Sequence, residues 1–270
     1  MEPSLEFIEE ILTAAGKELA SRFGSPMTVR EKPDQSLVTD ADVAVEKMLV
    51  AAIQKHRPQD VIYAEESGKS TTDRNTGRGV WVIDPLDGTT NFANRYPFFC
   101  TSIGWGVFDA AGRIDVRMGG IIDPIQRKTY LAATGKGATC NGTPIRVTKV
   151  GTIGKGFLVT GFYYTKGDAL SREITRFHRI AEACSSIRRD GAAALDMAMV
   201  AEGIYDGFWE MGLAPWDVAA GSVLVREAGG TVRNLGAPKG ASFDPENQSV
   251  VAANPAMAES LERELTIEKS

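Results

Sequence analysis

The chain is poor in the residues that build cysteine- or histidine-based metal sites. Cysteine occurs only at Cys100, Cys140 and Cys184, and histidine only at His56 and His178. Few, odd-numbered and widely spaced cysteines favour reduced thiols over a disulfide framework. The two histidines lie in unrelated contexts, so the chain offers little for a zinc site.

Long runs of one charge sign and long apolar runs are also absent. Lys and Arg never occur in more than a pair, and the net charge is -5 with a pI near 5.3, so the sequence lacks the electrostatic pattern of a nucleic-acid-binding protein. No apolar stretch approaches 18 residues, and the acidic N-terminal segment lacks the basic start of a signal peptide. We therefore expect a soluble, cytoplasmic protein that binds neither membranes nor nucleic acid directly.

The hydrophobic pattern changes character near the middle of the chain. Helical spacing predicts a helix over 4–23 and a second helix that begins at Thr39 or Asp40. A largely antiparallel meander is predicted from strands at 61–66, 81–84, 99–108, 116–123 and 129–135. Beyond about residue 154 strands and helices alternate, as in layered α/β architecture. We predict two subdomains, 1–153 and 154–270, that share a cleft within one structural unit.

Three acidic clusters stand out against this pattern. The stretch WVIDPLDGTTNF, 81–92, ends an apolar run in Asp84 and Asp87, AEES contains Glu65 and Glu66, and PWDVAAG contains Asp217. Buried carboxylates are costly without a compensating cation, and carboxylate and carbonyl oxygens suit Mg²⁺. After Asp87, a glycine and two threonines are typical of a turn that faces an anion.

Each cluster taken alone also has an ordinary structural interpretation. Asp84 and Asp87 could form a turn that ends a strand, the two glutamates could be polar strand-end residues, and Asp217 could stabilise a helix N-terminus. The conjunction of the three clusters favours a metal site beside a phosphate-binding turn.

Taken together, the motifs resemble the signatures of the inositol monophosphatase family, which comprises Mg²⁺-dependent, lithium-sensitive phosphatases. The matching segments, in order along nearly the whole chain, are VTDAD at 38–42, EES at 65–67, WVIDPLDGTTNF at 81–92, TGKGATCNG at 134–142, RRDGAAALDMA at 188–198, PWDVAAGSVLVREAGG at 215–230 and AANP at 252–255. The resemblance implies an α+β fold, a layered αβαβα sandwich, usually as a homodimer with two or three Mg²⁺ per active site.

The resemblance also implies a role for each matching residue. Glu65, Asp84 and the carbonyl of Leu86 would bind the first metal, and Asp84, Asp87 and Asp217 the second. Glu65, Thr89 and Asp42 would be catalytic, although either Asp40 or Asp42 could point inward. The substrate would contact Gly88, Thr89, Gly191, Ala193, Glu210 and Asp217. Arg188 and Arg189 could reach either the substrate or the dimer interface.

The substrate class follows from the same resemblance, which is closest to bacterial inositol-1-monophosphatases. The expected reaction is hydrolysis of inositol monophosphate, and related polyol phosphates are expected as further substrates. The same metal constellation serves fructose 1,6-bisphosphate, histidinol phosphate and 3'-phosphoadenosine 5'-phosphate. Residues 161–167, GFYYTKG, depart from the more usual proline-containing version. A hypothesis of another class is association with RNA polymerase or a transcription factor.

Overall fold

The computed structural model describes residues 2–33, 35–162, 167–238 and 240–266. The helices are α1 Leu5–Arg22, α2 Asp40–His56, α3 Thr89–Ala93, α4 Asp168–Ala183, α5 Ala193–Glu202, α6 Pro215–Glu227 and α7 Pro255–Leu265. The strands are β1 Val29–Glu31, β2 Leu37–Thr39, β3 Val61–Ala64, β4 Gly68–Lys69, β5 Gly79–Asp87, β6 Cys100–Phe108, β7 Ile114–Asp123, β8 Lys128–Ala133, β9 Gly137–Cys140, β10 Thr143–Pro144, β11 Phe157–Thr160, β12 Ser186–Arg188, β13 Gly207–Met211, β14 Thr231–Arg233 and β15 Ser249–Ala253.

Two main sheets organise the chain. The larger has eight strands in the order β10-β9-β8-β7-β6-β5-β3-β4, and every neighbouring pair is antiparallel except β3 and β5. The smaller has five strands in the order β12-β11-β13-β15-β14, with β11 parallel to both of its neighbours. A separate two-stranded hairpin pairs β1 with β2.

Helices cover both faces of each main sheet, which gives five layers. Helices α1 and α2 pack on the outer face of the large sheet, α5 and α6 lie between the two sheets, and α4 and α7 cover the small sheet. The predicted αβαβα sandwich is therefore confirmed. Three apolar clusters fill the spaces between layers, so the central strands of the main sheets have apolar side chains on both faces.

Strand β5 illustrates how one strand serves two cores. Val80 and Val82 face the middle helices, whereas Trp81 and Ile83 face α1 and α2, because successive side chains point to opposite faces. All nine residues of β5 are buried. The strand therefore carries its last residues, which include the two aspartates, into an interior environment.

The elements agree with the sequence expectations apart from the short ones. Ser4 caps α1 by accepting from the backbone N–H of Phe7, and Thr39 is the residue that caps α2. The pattern missed β1, β2, β4, β9, β10, β12 and α3, because segments of two to five residues carry too little periodicity. The subdomain boundary near residue 153 stays a prediction.

None of the helices in the described ranges combines the length and the apolar character needed to cross a bilayer.

A buried aspartate joins the outer helical layer to the large sheet. The side chain of Asp60 is 6% exposed and accepts the indole N–H groups of Trp81, at 3.0 Å, and Trp105, at 3.1 Å. Arg57 supplies the compensating charge through Nε, at 3.0 Å. One carboxylate thus satisfies two large buried side chains, each of which would otherwise leave a donor without an acceptor.

Replacing Asp60 by alanine should lower the free energy of unfolding by about 2–4 kcal/mol, because two buried indole donors lose their acceptor. Urea denaturation measures this change. The control is Asp115→Ala, whose side chain is 53% exposed and pairs with the exposed Arg117, and it should change stability by less than about 0.5 kcal/mol. Equal effects of the two substitutions would contradict a bracing role for Asp60.

Candidate active site

Strand β5 ends in an irregular segment that turns two carboxylates toward one cavity. Asp84 pairs with Ser102 and Asp87 with Cys100, so the register shifts between the two aspartates. This is a bulge, which places side chains where a regular strand could not. The Oδ1 atom of Asp84 accepts the N–H of Leu86 at 3.0 Å. The strand therefore extends beyond the predicted end at Asp84 and includes both acids.

The chain then makes a sharp turn into the short helix α3. Gly88 has φ 88°, in the left-handed region, and a Cβ there would lie 3.0 Å from the carbonyl oxygen of Phe98, so a larger residue would be both strained and crowded. Thr89 follows, and its Oγ1 lies 3.0 Å from Oδ1 of Asp42 and 2.9 Å from the carbonyl oxygen of Leu86. A hydroxyl has one proton, so it donates to one of these acceptors at a time.

Asp42, not Asp40, points into the protein. Its Oδ2 accepts the N–H of Thr39 at 2.8 Å, and its side chain is fully buried. Asp40 is exposed and lies 3.7 Å from Arg22. The sequence left open which of the two aspartates points inward. Helix capping explains why it is Asp42, because the carboxylate of the third residue of α2 hydrogen-bonds back to the N-cap residue Thr39.

Glu65 and Glu66 share one lysine that the sequence interpretation did not identify. Lys32 Nζ lies 2.7 Å from Oε1 of Glu65 and 2.6 Å from Oε1 of Glu66. Glu46 of α2 accepts the N–H of Glu66 at 2.8 Å and so fixes the backbone of this turn. Lys32 and Glu46 lie far from the two glutamates in the sequence and form no motif with them, so these contacts are seen only in the folded structure.

The helices of the middle layer hold the other two carboxylates. Asp87 Oδ2 accepts the N–H of Ala194 at 2.7 Å, at the start of α5. Asp217 Oδ2 accepts the N–H of Ala214 at 2.7 Å, at the start of α6. Helix N-termini stabilise negative charge. Asp217 therefore has the ordinary capping role considered above and also faces the cavity.

These residues surround a cavity of about 180 Å³. Of the residues predicted for the site, those that line it are Glu65, Asp84, Leu86, Asp87, Gly88, Thr89, Gly191, Ala193, Glu210 and Asp217. Asp42 does not line the cavity but lies behind Thr89. The fold thus brings together nearly the whole predicted set.

Other lining residues were not predicted, among them Gly161, Phe162, Thr90 and Trp216. The pair whose role was left open separates here. Arg189 lines the cavity, whereas the guanidinium of Arg188 stacks over the ring of Phe157, 4.8 Å from its centroid. Residues 163–166 of the atypical GFYYTKG segment lie outside the described residues.

Burial and mutual repulsion dominate the electrostatics of the cavity. Burial raises the pKa of Glu65 to about 7 even though Lys32 opposes the shift. Burial likewise raises the pKa of Asp87 to about 6 against the stabilising amides of α5. The pKa values of Asp84 and Asp217 lie well above the ordinary range, through burial and the charges of neighbouring carboxylates. This concentration of acids is electrostatically unsatisfied by the protein alone.

The donor set has the chemistry of a site for hard cations. It consists of carboxylate oxygens and the carbonyl of Leu86, with no sulfur or imidazole among the lining residues. Within the described ranges, no three Asp, Glu, His or Cys side chains already converge as a finished metal site would hold them. Glu65 is instead engaged by Lys32. The oxygen donors fit Mg²⁺ in kind, and the excess negative charge favours a cation there.

The fold and the cavity define an acidic cleft in a five-layer sandwich, and comparison with known proteins agrees with this fold. The model of the inositol monophosphatase family matches residues 1–269. The chain belongs to the inositol monophosphatase family, and it is thereby a phosphatase-type hydrolase.

Individual relatives carry two kinds of name. An inositol-1-monophosphatase of Synechocystis sp. is 41% identical over 229 residues, which cover 84% of this chain and 77% of that protein. The Nus factor SuhB of Escherichia coli is 36% identical over 264 residues, 97% of this chain and 95% of that protein. The crystal structure of the extragenic suppressor protein suhB from Bartonella henselae superimposes with a TM-score of 0.87 at 31% identity and covers 98% of both chains.

Without divalent cations, the protein should lose stability as the pH rises. Folding raises the pKa of Glu65 from 4.5 to about 7 and that of Asp87 from 3.8 to about 6, so between these values the folded state binds more protons than the unfolded chain. The free energy of unfolding in EDTA should therefore be about 1–3 kcal/mol greater near pH 5 than near pH 8. Denaturant titrations at several pH values measure this slope.

A variant identifies the source of the slope. Asp84→Asn removes one of the buried, mutually repelling carboxylates and should flatten the pH dependence. Asp115→Asn, at an exposed position, should leave it unchanged. Stability that stays constant or increases between these pH values in the unsubstituted protein would contradict this account of the cavity.

Proposed function

We propose that this protein hydrolyses a polyol phosphate monoester, inositol monophosphate being the representative substrate, with the help of bound Mg²⁺. The observation that carries the proposal is that carboxylates from distant segments line one cavity, beside a left-handed glycine turn and a threonine hydroxyl. A phosphate dianion would not enter so acidic a cavity unless cations intervened, and cations would also relieve the repulsion among the carboxylates.

The residues proposed to hold Mg²⁺ are Glu65, Asp84, Asp87, Asp217 and the carbonyl of Leu86. Asp84 is the proposed bridging ligand, which accords with its complete burial and with its charge interactions with all three other carboxylates. When bound, Mg²⁺ supplies the positive charge that offsets the phosphate dianion and makes an attacking water more acidic. Glu65 would have to give up its ion pair with Lys32 in order to bind this cation.

The groups proposed to manage the proton of the attacking water are Thr89, Asp42 and Glu65. Thr89 Oγ1 contacts the buried carboxylate of Asp42, so a proton accepted at the hydroxyl has a second acceptor directly behind it. Burial raises the pKa of Asp42, and the hydrogen bonds from Thr39 and Thr89 offset part of this shift. The raised pKa makes the carboxylate a better base than an exposed aspartate.

We propose that some of the substrate-binding residues contact the phosphate and the others contact the alcohol part of the substrate. The backbone at Gly88 and Thr89 would face the phosphate, since the absence of a Cβ at Gly88 allows close approach. Glu210, with Asp217 and the backbone of Gly191 and Ala193, would face the hydroxyl groups of the alcohol. A carboxylate accepts hydrogen bonds from hydroxyls, which suits a polyol better than an apolar alcohol.

Other features implied by the family resemblance are carried forward as part of this proposal. They are the homodimer, lithium sensitivity, cytoplasmic location and a total of two or three Mg²⁺. The related substrates fructose 1,6-bisphosphate, histidinol phosphate and 3'-phosphoadenosine 5'-phosphate belong in the same assay, because the metal-binding carboxylates would serve any of them and only the alcohol-facing residues would discriminate.

A second candidate function is association with RNA polymerase or a transcription factor. Relatives named Nus factor SuhB are 36% identical over 97% of this chain, so the similarity to proteins of that name extends over nearly the whole chain. The acidic cavity is not explained by such a role, because a binding scaffold has no need for clustered buried carboxylates. The two functions are therefore proposed as compatible, with catalysis the better supported.

Phosphate release from inositol 1-phosphate should require Mg²⁺ and should fall below detection, by at least about 10³-fold, in Asp84→Asn, because the proposed bridging charge is lost. Thr89→Ala should lower kcat about a hundredfold, and Thr89→Ser, which keeps the hydroxyl, should retain most of the activity. The control is Asp115→Asn. Near-normal turnover in Asp84→Asn would refute the bridging role, and release without Mg²⁺ would refute the metal requirement.

Affinity capture from a native lysate of the source organism tests the second function. Recovery of RNA polymerase by both the unsubstituted protein and Asp84→Asn would support an association that does not depend on catalysis. Its absence from both captures, with a tagged unrelated protein as background, would eliminate this function and leave the phosphatase.

A further inference from the structure

The carboxylate of Glu210 occupies the space that a Cβ on Gly161 would fill. Strands β11 and β13 are parallel neighbours with Thr160, the last residue of β11, opposite Trp209. Gly161 directly follows β11 and Glu210 follows Trp209 in β13, so the two residues lie side by side. A Cβ on Gly161 would lie 2.1 and 2.2 Å from the two carboxylate oxygens of Glu210 and 2.3 Å from its Cδ. The carboxylate therefore rests directly against the backbone of Gly161.

Backbone conformation does not explain this glycine. The φ angle of Gly161 lies outside the left-handed region, unlike that of Gly88 or Gly191, so an alanine would meet no backbone strain at this position. The three heavy atoms nearest to a Cβ at this position all belong to the carboxyl group of Glu210. That group is the end of a flexible side chain, so it would move aside and the strands would stay in place.

Both residues line the same cavity as the metal-binding carboxylates. Phe162 and Arg189 line it with them, and the ring of Phe162 packs edge-on against Phe177 of α4, with centroids 5.4 Å apart. The wall beside Gly161 is thus fixed by aromatic packing. A displaced Glu210 carboxylate has the open cavity as its remaining space.

We infer that Gly161 is a specificity-determining residue for the alcohol part of the substrate. Its missing Cβ lets the Glu210 carboxylate lie back against the end of β11, which keeps the cavity wide enough for a ring and fixes the position of the hydroxyl acceptor. The inference rests on the proposed function, since it concerns how the enzyme discriminates between a polyol phosphate and a phosphate ester that has no hydroxyl groups.

The test compares inositol 1-phosphate with p-nitrophenyl phosphate, which has no hydroxyl for Glu210 to accept from. Gly161→Ala should lower the ratio of the two kcat/KM values about tenfold, the factor that one displaced hydrogen-bond acceptor produces. The matched control is Gly154→Ala, because Gly154 is exposed, has no left-handed φ, and a Cβ there would meet only the carbonyl oxygen of Ala183, at 3.7 Å. Its ratio should not change.

A double-mutant cycle separates this mechanism from a general disturbance. In a Glu210→Ala background the carboxylate is gone, so adding Gly161→Ala should change the ratio no further. Thermal unfolding midpoints verify that each variant is folded. An unchanged ratio in Gly161→Ala, an equal loss on both esters, or additive effects in the cycle would overturn the inference. Failure of the unsubstituted protein to release phosphate from either ester would instead overturn the proposed function and this inference with it.

Discussion

The structure depends on keeping several carboxylates out of water and close to one another. Asp84, Asp87 and Asp217 are supplied by buried segments, and their raised pKa values express the free-energy cost of holding negative charges together in a poorly hydrated space. Asp87 and Asp217 are partly compensated by the amides at the starts of α5 and α6. Glu65 is compensated by Lys32. The remaining negative charge of these carboxylates is proposed to be neutralised by a bound cation.

The layered architecture is what makes this arrangement possible. The large sheet contributes β5, the middle layer contributes the N-termini of α5 and α6, and the small sheet contributes Glu210. Each of these elements is fixed by an apolar core on both sides, so the carboxylates cannot relax their repulsion by moving apart. A site built from a single sheet would lack the helix N-termini that hold Asp87 and Asp217.

The residues of the candidate site could be predicted from the sequence more completely than some of the strands could. The motif residues from Glu65 to Asp217 line one cavity, as the family resemblance implied, and Asp42 alone lies behind it. The bulge in β5, the short strand β12 and the hairpin of β1 and β2 were missed. Their formation depends on pairing partners, because three-residue segments contain no periodicity of their own.

The long amphipathic helices, the alternation of strands and the oxygen-rich chemistry of the site are encoded in neighbouring residues, so they could be predicted from the sequence. Which distant groups touch depends on the tertiary fold. Lys32 reaches Glu65 across 33 positions, and Asp87 meets Ala194 across 107. The contact between Gly161 and Glu210 arises because two parallel strands place them side by side. Such contacts follow from strand register and layer packing, which local sequence patterns do not specify.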